Sequence, residues 1–132
     1  MTMTDPIADL ATRIRNALGN DRREVTVPHS RLKAAICDAL QREGFLEGWS
    51  VEAGHVQGML RLRLKYGPDG ERVIRRIQRV STPGRRLYCG VKDLRPVLRG
   101  MGIRVLTTNR GVLSDREARD QRVGGEPLLE VW

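Results

Sequence analysis

Thr107, Thr108 and Asn109 stand side by side where a short apolar run, Ile103, Val105 and Leu106, comes to its end. Two hydroxyls and an amide can each donate and accept hydrogen bonds, and such short side chains lose little entropy on ordering. That set fits a partner presenting hydroxyls, phosphates and base edges together. RNA is such a partner, because its 2′-OH is both donor and acceptor. Taken alone, Thr-Thr-Asn also reads as a solvated turn, since Thr and Asn are ordinary loop residues.

Catalytic chemistry is thinner. His29 and His55 lie far apart and in no motif. Asp115 and Glu117 could form an acid/base pair, but Ser114-Asp115-Arg116-Glu117 is the pattern of a helix capping box, which accounts for both. The chain has no His-Glu-x-x-His, no zinc-type cysteine pair and no Gly-x-x-x-x-Gly-Lys phosphate loop. Cys37 and Cys89 make neither a metal spacing nor a disulfide framework and read as reduced packing residues. We expect no metal, no cofactor and no small-molecule substrate.

Charge points the same way as the trio. The formal net charge is +8, from 24 Lys+Arg against 16 Asp+Glu. Residues 1–70 hold ten basic and nine acidic groups, whereas residues 71–132 hold fourteen and seven. Arg72, Arg75, Arg76, Arg79, Arg85 and Arg86 crowd together, with no acid between Glu71 and Asp93. A one-sided positive field attracts polyanions, and arginine grips phosphate through two parallel hydrogen bonds. No apolar run approaches the ~20 residues of a membrane span, and the N-terminus lacks a secretory layout. The expectation is a cytoplasmic protein with no membrane partner.

The elements that must hold these groups follow from spacing. Asp5 is an N-cap, Pro6 suits the first helical position, and Ile7, Leu10, Ala11, Ile14 and Leu18 recur at helical intervals up to Gly19. Arg13, Arg15 and Asn16 lie off that stripe. A strand covers residues 24–28. Ser30 caps a second helix over residues 31–43, with Leu32, Ala35, Ile36, Ala39 and Leu40 inward, Gly44 ending it and Phe45 folding back. Ser30, Arg31 and Lys33 occupy its start, where outward N–H groups welcome phosphate. Residues 45–52 form a strand, 53–58 a turn, and Leu60, Leu62 and Leu64 alternate with Arg61, Arg63 and Lys65 in the clearest half-buried strand. The basic side of that strand reads as a solvated outer face.

Gly67-Pro68-Asp69-Gly70 separates two subdomains, residues 1–66 and 71–132. In the second, Val73, Ile74, Ile77 and Val80 predict one irregular strand, with a helix as the alternative. Ser81-Thr82-Pro83-Gly84 is placed for a type II turn, and residues 86–89 for a strand pairing back. Tyr88 either packs in the core or stacks on a base. Residues 93–99 read as a short helix with Pro96 in its first turn. After the trio the chain turns at Arg110-Gly111, starts a helix at Ser114, stops it before Gly124-Gly125 and finishes as a strand over residues 126–132. The fold class is therefore α+β. Two helices lie on a three-stranded sheet, followed by mostly antiparallel β structure with short helices.

The run from Thr107 through Arg119, with Val123-Gly124-Gly125-Glu126, resembles the signature of bacterial small-subunit ribosomal protein eight. Asp5 to Asn16, Glu43-Gly44-Phe45-Leu46, Leu64-Lys65-Tyr66 and Ile77 to Tyr88 resemble the same family, in the same order and over almost the whole chain. The family usually carries Ser-Thr-Ser where this chain has Thr107-Thr108-Asn109, so the first position gains a methyl and the last exchanges hydroxyl for amide. Cys89-Gly90-Val91 replaces residues that are often basic.

The resemblance implies a structural constituent of the small ribosomal subunit that binds the central domain of its rRNA and aids assembly, beside neighbouring small-subunit proteins. It also implies that the chain could bind its own mRNA as a translational repressor. The implied RNA-binding residues are Thr107, Thr108 and Asn109, with Gly124 and Glu126 adjacent and Arg86 and Tyr88 flanking. Glu126 is expected to orient the threonine loop or accept a ribose hydroxyl. Arg13, Arg15, Asn16, Ser30, Arg31 and Lys33 form a second zone. The alternatives are a small RNA-processing hydrolase using Asp115, Glu117 and His29, and a protein-docking scaffold.

Overall fold

Asp5 accepts the Ala8 N–H at 3.1 Å and Pro6 opens the first helix, α1 (Pro6–Gly19), in the computed structural model, which describes residues 5–53 and 58–132. Every residue of the predicted apolar stripe of α1 is buried. Strand β1 (Glu24–Pro28) follows, and then α2 (Arg31–Arg42), capped by the Ser30 hydroxyl on the Lys33 N–H at 3.1 Å. Gly44, at φ 83°, ends α2, and the Phe45 N–H returns to the Leu40 carbonyl. Strands β2 (Leu46–Glu52) and β3 (Met59–Leu64) complete an antiparallel sheet ordered β1-β3-β2. Leu60, Leu62 and Leu64 face the core, while Arg61 points outward between Glu24 and Glu52. His55 lies outside the described residues, as does most of the turn expected over 53–58.

The second sheet is ordered β4-β7-β5-β6, all antiparallel: β4 (Ile77–Arg79), β5 (Ile103–Thr108), β6 (Gly111–Ser114) and β7 (Glu126–Val131). Helix α3 (Asp115–Gln121) starts from a complete capping box between Ser114 and Glu117. The architecture is thus α+β, with the first two helices against the three-stranded sheet and the second half rich in β structure. One apolar cluster runs through both halves, joining Leu10, Ile36 and Leu62 to Ile77, Ile103 and Leu129. Arginines tie the halves from outside the core, Arg79 and Arg42 through several bonds each. Arg79 binds both oxygens of the Asp5 carboxylate and the Leu128 carbonyl. Arg42 grips Glu117 through two 3.0 Å bonds and also reaches Asp38 and the Val112 carbonyl.

Several expectations need correction. The stripe of α2 is rotated, so Leu32 is exposed, whereas Lys33 is turned inward with Ile36, Cys37 and Leu40. The strand expected across Val73 to Val80 is ordered as such only at Ile77–Arg79, because the Arg75 and Arg76 N–H groups both turn to the Trp132 carbonyl. Thr82 and Arg85 close the Pro83-Gly84 turn, but Gly84 lacks the positive φ that defines type II. Residues 86–89 make no ladder beyond one bridge, Cys89 to Gly125, since the Leu87 N–H is taken by the Ser81 hydroxyl. No helix forms over 93–99, because Pro96 disfavours helical backbone at Arg95 and the chain takes positive φ at Leu98 and Arg99. Two short 3₁₀ turns, Val91–Asp93 and Leu98–Gly100, stand there instead.

Candidate nucleic-acid interface

The far end of β5 carries the trio. Thr107 pairs with Val112 on one side and Glu126 on the other, so its backbone is held by two strands. Thr108 is the last paired residue, and Asn109-Arg110 forms the turn into Gly111, whose φ of 100° suits a residue without Cβ. The three side chains do not share one role. The Thr108 hydroxyl donates to the Gly111 carbonyl at 2.8 Å and accepts the Arg110 N–H at 3.0 Å. It therefore builds the turn that presents its neighbours. Among the described residues no hydrogen bond engages the side chains of Thr107 or Asn109, so their donors and acceptors stay uncommitted within the chain.

A cleft of about 580 Å³ opens beside them. It gathers Thr107, Thr108 and Asn109 with Tyr88, Gly124 and Glu126, and adds Arg122, Val123 and Gly125. Its wall depends on two glycines, though for a different reason from the expected helix stop. Arg122, at φ 55°, makes the left-handed cap of α3, and neither Gly124 nor Gly125 has positive φ. Close approach is what demands them. A Cβ on Gly125 would lie 2.2 Å from the Thr107 carbonyl oxygen, and one on Gly124 would lie 2.5 Å from that of Cys89. The Tyr88 hydroxyl would be 3.1 Å from the same Gly124 position, so the phenol end lies beside the glycine wall. Tyr88 is 77% exposed, which decides between core and surface in favour of the surface.

Glu126 is held from behind. Its carboxylate accepts the Ser81 hydroxyl at 2.5 Å and Arg86 at 3.0 and 3.1 Å. The Ser81 bond, reinforced by Arg86 against the opposing effect of burial, holds the carboxyl below the usual glutamate range. Ser81 is fully buried and takes the Leu87 N–H as well, so one hydroxyl fixes both the 81–87 loop and Glu126. The expectation that Glu126 orients the threonine loop is corrected, for its carboxylate is turned toward Ser81 and Arg86. Sequence reasoning missed Ser81, Arg122 and Gly125 as parts of this site. For Ser81 the signal was its place in the predicted turn and in the run Ile77 to Tyr88 that resembles the family.

The residues of the expected second zone are brought together only in part, Lys33 lying within electrostatic reach of Arg13 while Arg15 turns elsewhere. Arg13 and Asn16, three apart on α1, share a shallow groove with Arg22 and Thr26, and Arg13 is paired with Asp9 at 2.9 Å. Arg15 points to another face and donates to the Ile77 carbonyl. Ser30 is occupied as a cap and Arg31 is exposed. Lys33 is only 5% exposed, and burial lowers its pKa despite Asp9. As an outer phosphate contact Lys33 is corrected, because it stands on the inward stripe of α2.

Asp115 and Glu117 are fully employed in the fold. Asp115 is 1% exposed, accepts the Arg104 N–H and pairs with Arg119, while Glu117 closes the capping box and binds Arg42. The Cys37 thiol of α2 is buried, which pushes it up to about 12 and leaves no thiolate for chemistry.

Comparison with known proteins agrees over the full length. The family described as Ribosomal protein S8 matches residues 5–132. Small ribosomal subunit protein uS8 of Rhodopirellula baltica is 56% identical over 131 residues, covering 98% of each chain. The proteins of the same name from Clavibacter michiganensis and Lactobacillus helveticus are 50% and 48% identical over 132 residues, covering 100% of each chain.

Proposed function

Since the chain belongs to the ribosomal protein S8 family, we propose that it binds small-subunit rRNA directly through the cleft at the end of β5 and helps the central domain of that RNA to assemble. Membership makes it a structural constituent of the small ribosomal subunit in the cytoplasm, not an enzyme, working among rRNA and other ribosomal proteins. Among the described residues no helix is long and apolar enough to cross a membrane.

One observation carries the binding proposal. Thr107 and Asn109 retain uncommitted hydrogen-bonding groups beside an exposed Tyr88, in a cleft walled by the closely packed Gly124-Gly125 segment. A ribose or base edge can approach the backbone there, the amide and hydroxyl can read it, and the phenol can stack on a base. The carboxylate of Glu126 repels phosphate, so its part is to hold Arg86 at the rim. A secondary contact rests on Asn16 and the exposed Arg31, since Ser30 is spent as a cap and Arg13 is paired with Asp9.

Titration of a labelled central-domain rRNA fragment with the parent protein and a Thr107→Ala/Asn109→Ala variant tests the reading. We expect a loss of roughly 10- to 100-fold for that fragment, the scale of one or two lost polar contacts at about 1–2 kcal/mol each, with unrelated RNA bound as before. Unchanged affinity in a folded variant overturns the proposal. Repression of its own message rests on the same cleft recognising a similar site in leader RNA. That extension is abandoned if leader RNA does not compete with the rRNA fragment.

A further inference from the structure

We infer that a second RNA segment is held, without regard to sequence, in an arginine groove at the opposite end of the four-stranded sheet. The inference rests on RNA as the partner and concerns a surface distinct from the cleft.

The groove, about 410 Å³, lies between α1 and the irregular segment before β4. Arg15, Arg72, Arg75 and Arg76 surround it over a floor that includes Leu18 and Ile77, and no carboxylate lines it. The other clefts differ. The one between β1 and the Gly67–Gly70 turn sets Asp21, Glu24 and Glu47 against Arg23 and Arg63, and the trio cleft balances Arg122 with Glu126. Arg75 and Arg76 have no acidic side chain as ion-pair partner among the described residues, and the repeated phosphates of an RNA backbone suit such a row of guanidiniums.

The groove is also built rather than loose. The Arg75 and Arg76 N–H groups are fixed on the Trp132 carbonyl at 2.6 and 2.7 Å. Arg76 lies 5.8 Å over the Trp132 ring, and Arg15 is braced on the Ile77 carbonyl. Among the described residues neither Arg75 nor Arg76 has a carboxylate in ion-pair range, and both are exposed. Arg72 has only the exposed Asp21 at 3.3 Å. Glu130, the nearest acid on β7, is engaged by Arg104 and Gln78.

Distance separates this groove from the cleft. Ile77 and Ile103 flank Val131 across the sheet, whereas Thr107 faces Glu126. Four residues of β5 separate those ends, about 14 Å at ~3.4 Å per residue, so one nucleotide cannot occupy both.

The test uses a short fluorescein-labelled RNA duplex of arbitrary sequence, titrated by anisotropy across a salt series. Arg75→Ala/Arg76→Ala should weaken binding about 10-fold near 0.1 M salt and flatten the log–log salt dependence by about two units, one per lost phosphate contact. Arg95→Ala/Arg99→Ala removes the same charge elsewhere and should do much less. Arg75→Glu keeps the Arg76–Trp132 stack and should weaken binding further than Arg75→Ala. Thr107→Ala/Asn109→Ala should leave the salt slope unchanged, which separates failure here from failure of the cleft proposal. Parental duplex binding by the folded Arg75/Arg76 variant, as expected if an acidic protein segment fills the groove, overturns the inference. So does an equal loss from the Arg95/Arg99 control.

Discussion

The two ends of the second sheet solve different problems with different residues. At the trio end the charges cancel, the backbone is shaped by glycines, and the available groups are a hydroxyl, an amide and a phenol. At the β4 end four arginines meet with no acid among the lining residues. Neutral polar groups on a rigid edge discriminate by geometry, because a mismatched partner leaves them unpaired. Guanidiniums discriminate little but raise affinity and encounter rate for any polyanion. If both proposals hold, selectivity and adhesion in this molecule are spatially divided, and net charge locates only the second.

The largest effect should come from breaking the geometry of the selective end. Gly125→Ala puts a Cβ against the Thr107 carbonyl, which cannot move without disturbing β5. We expect a loss of about 2–3 kcal/mol in denaturant unfolding, at the upper end of overpacking costs, and loss of rRNA selectivity with the duplex salt slope retained. Parental stability would show that the 124–125 segment does not press on β5.

Ser81→Ala should follow. It leaves the Leu87 N–H and the Glu126 carboxylate without their shared buried partner, at a cost of about 1–3 kcal/mol. The same measurement on Ser81→Thr, which keeps the hydroxyl, separates lost bonding from altered packing. Thr108→Val is expected to cost about 1 kcal/mol through the turn it closes, whereas Thr108→Ser should bind rRNA as the parent does. If Thr108→Ser lost as much as the Thr107/Asn109 variant, Thr108 would be a reader rather than a brace.

The smallest effect is electrostatic. Glu126 is held below its ordinary value of 4.5 by Ser81 and Arg86. Burial pushes Asp5 up, but Arg79 and the Ala8 N–H outweigh it and hold this carboxyl low as well. A depressed folded pKa means that the unfolded chain binds more protons in acid. The stabilisation is therefore complete above the ordinary carboxylate values and is lost as pH falls through the lower, folded ones. Melting temperature followed from about pH 5 to pH 3 should fall less steeply in Glu126→Gln than in the parent. Identical profiles would remove Glu126 from this account.

Legibility varied with the range of the interaction. Asp5-Pro6, Ser30 and the Ser114–Glu117 box each set a helix start within four residues, and all three formed as expected. The alternation at Leu60, Leu62 and Leu64 gave β3 at once, because one buried face imposes a period of two. Reading failed where a distant group outbid the local pattern. The Trp132 carbonyl captured two amides that would have extended β4, and Ser81 took the N–H that a strand over 86–89 required. The division of labour within the trio was equally hidden, for only the turn geometry shows Thr108 spent on Gly111 and Arg110.

The sequence by itself determined the helix starts, the strand faces, the arginine excess and the trio at a strand end, since caps, periodicity and charge are short-range properties of neighbouring residues. Only the tertiary structure decided that Arg122 and Gly125 join the cleft of the trio, that Tyr88 lies on the surface, that Lys33 turns inward, and that Arg15 joins Arg75 and Arg76 instead of Arg13. Those outcomes depend on how helices and sheets close upon one core, where residues tens of positions apart compete for the same volume and the same hydrogen bonds.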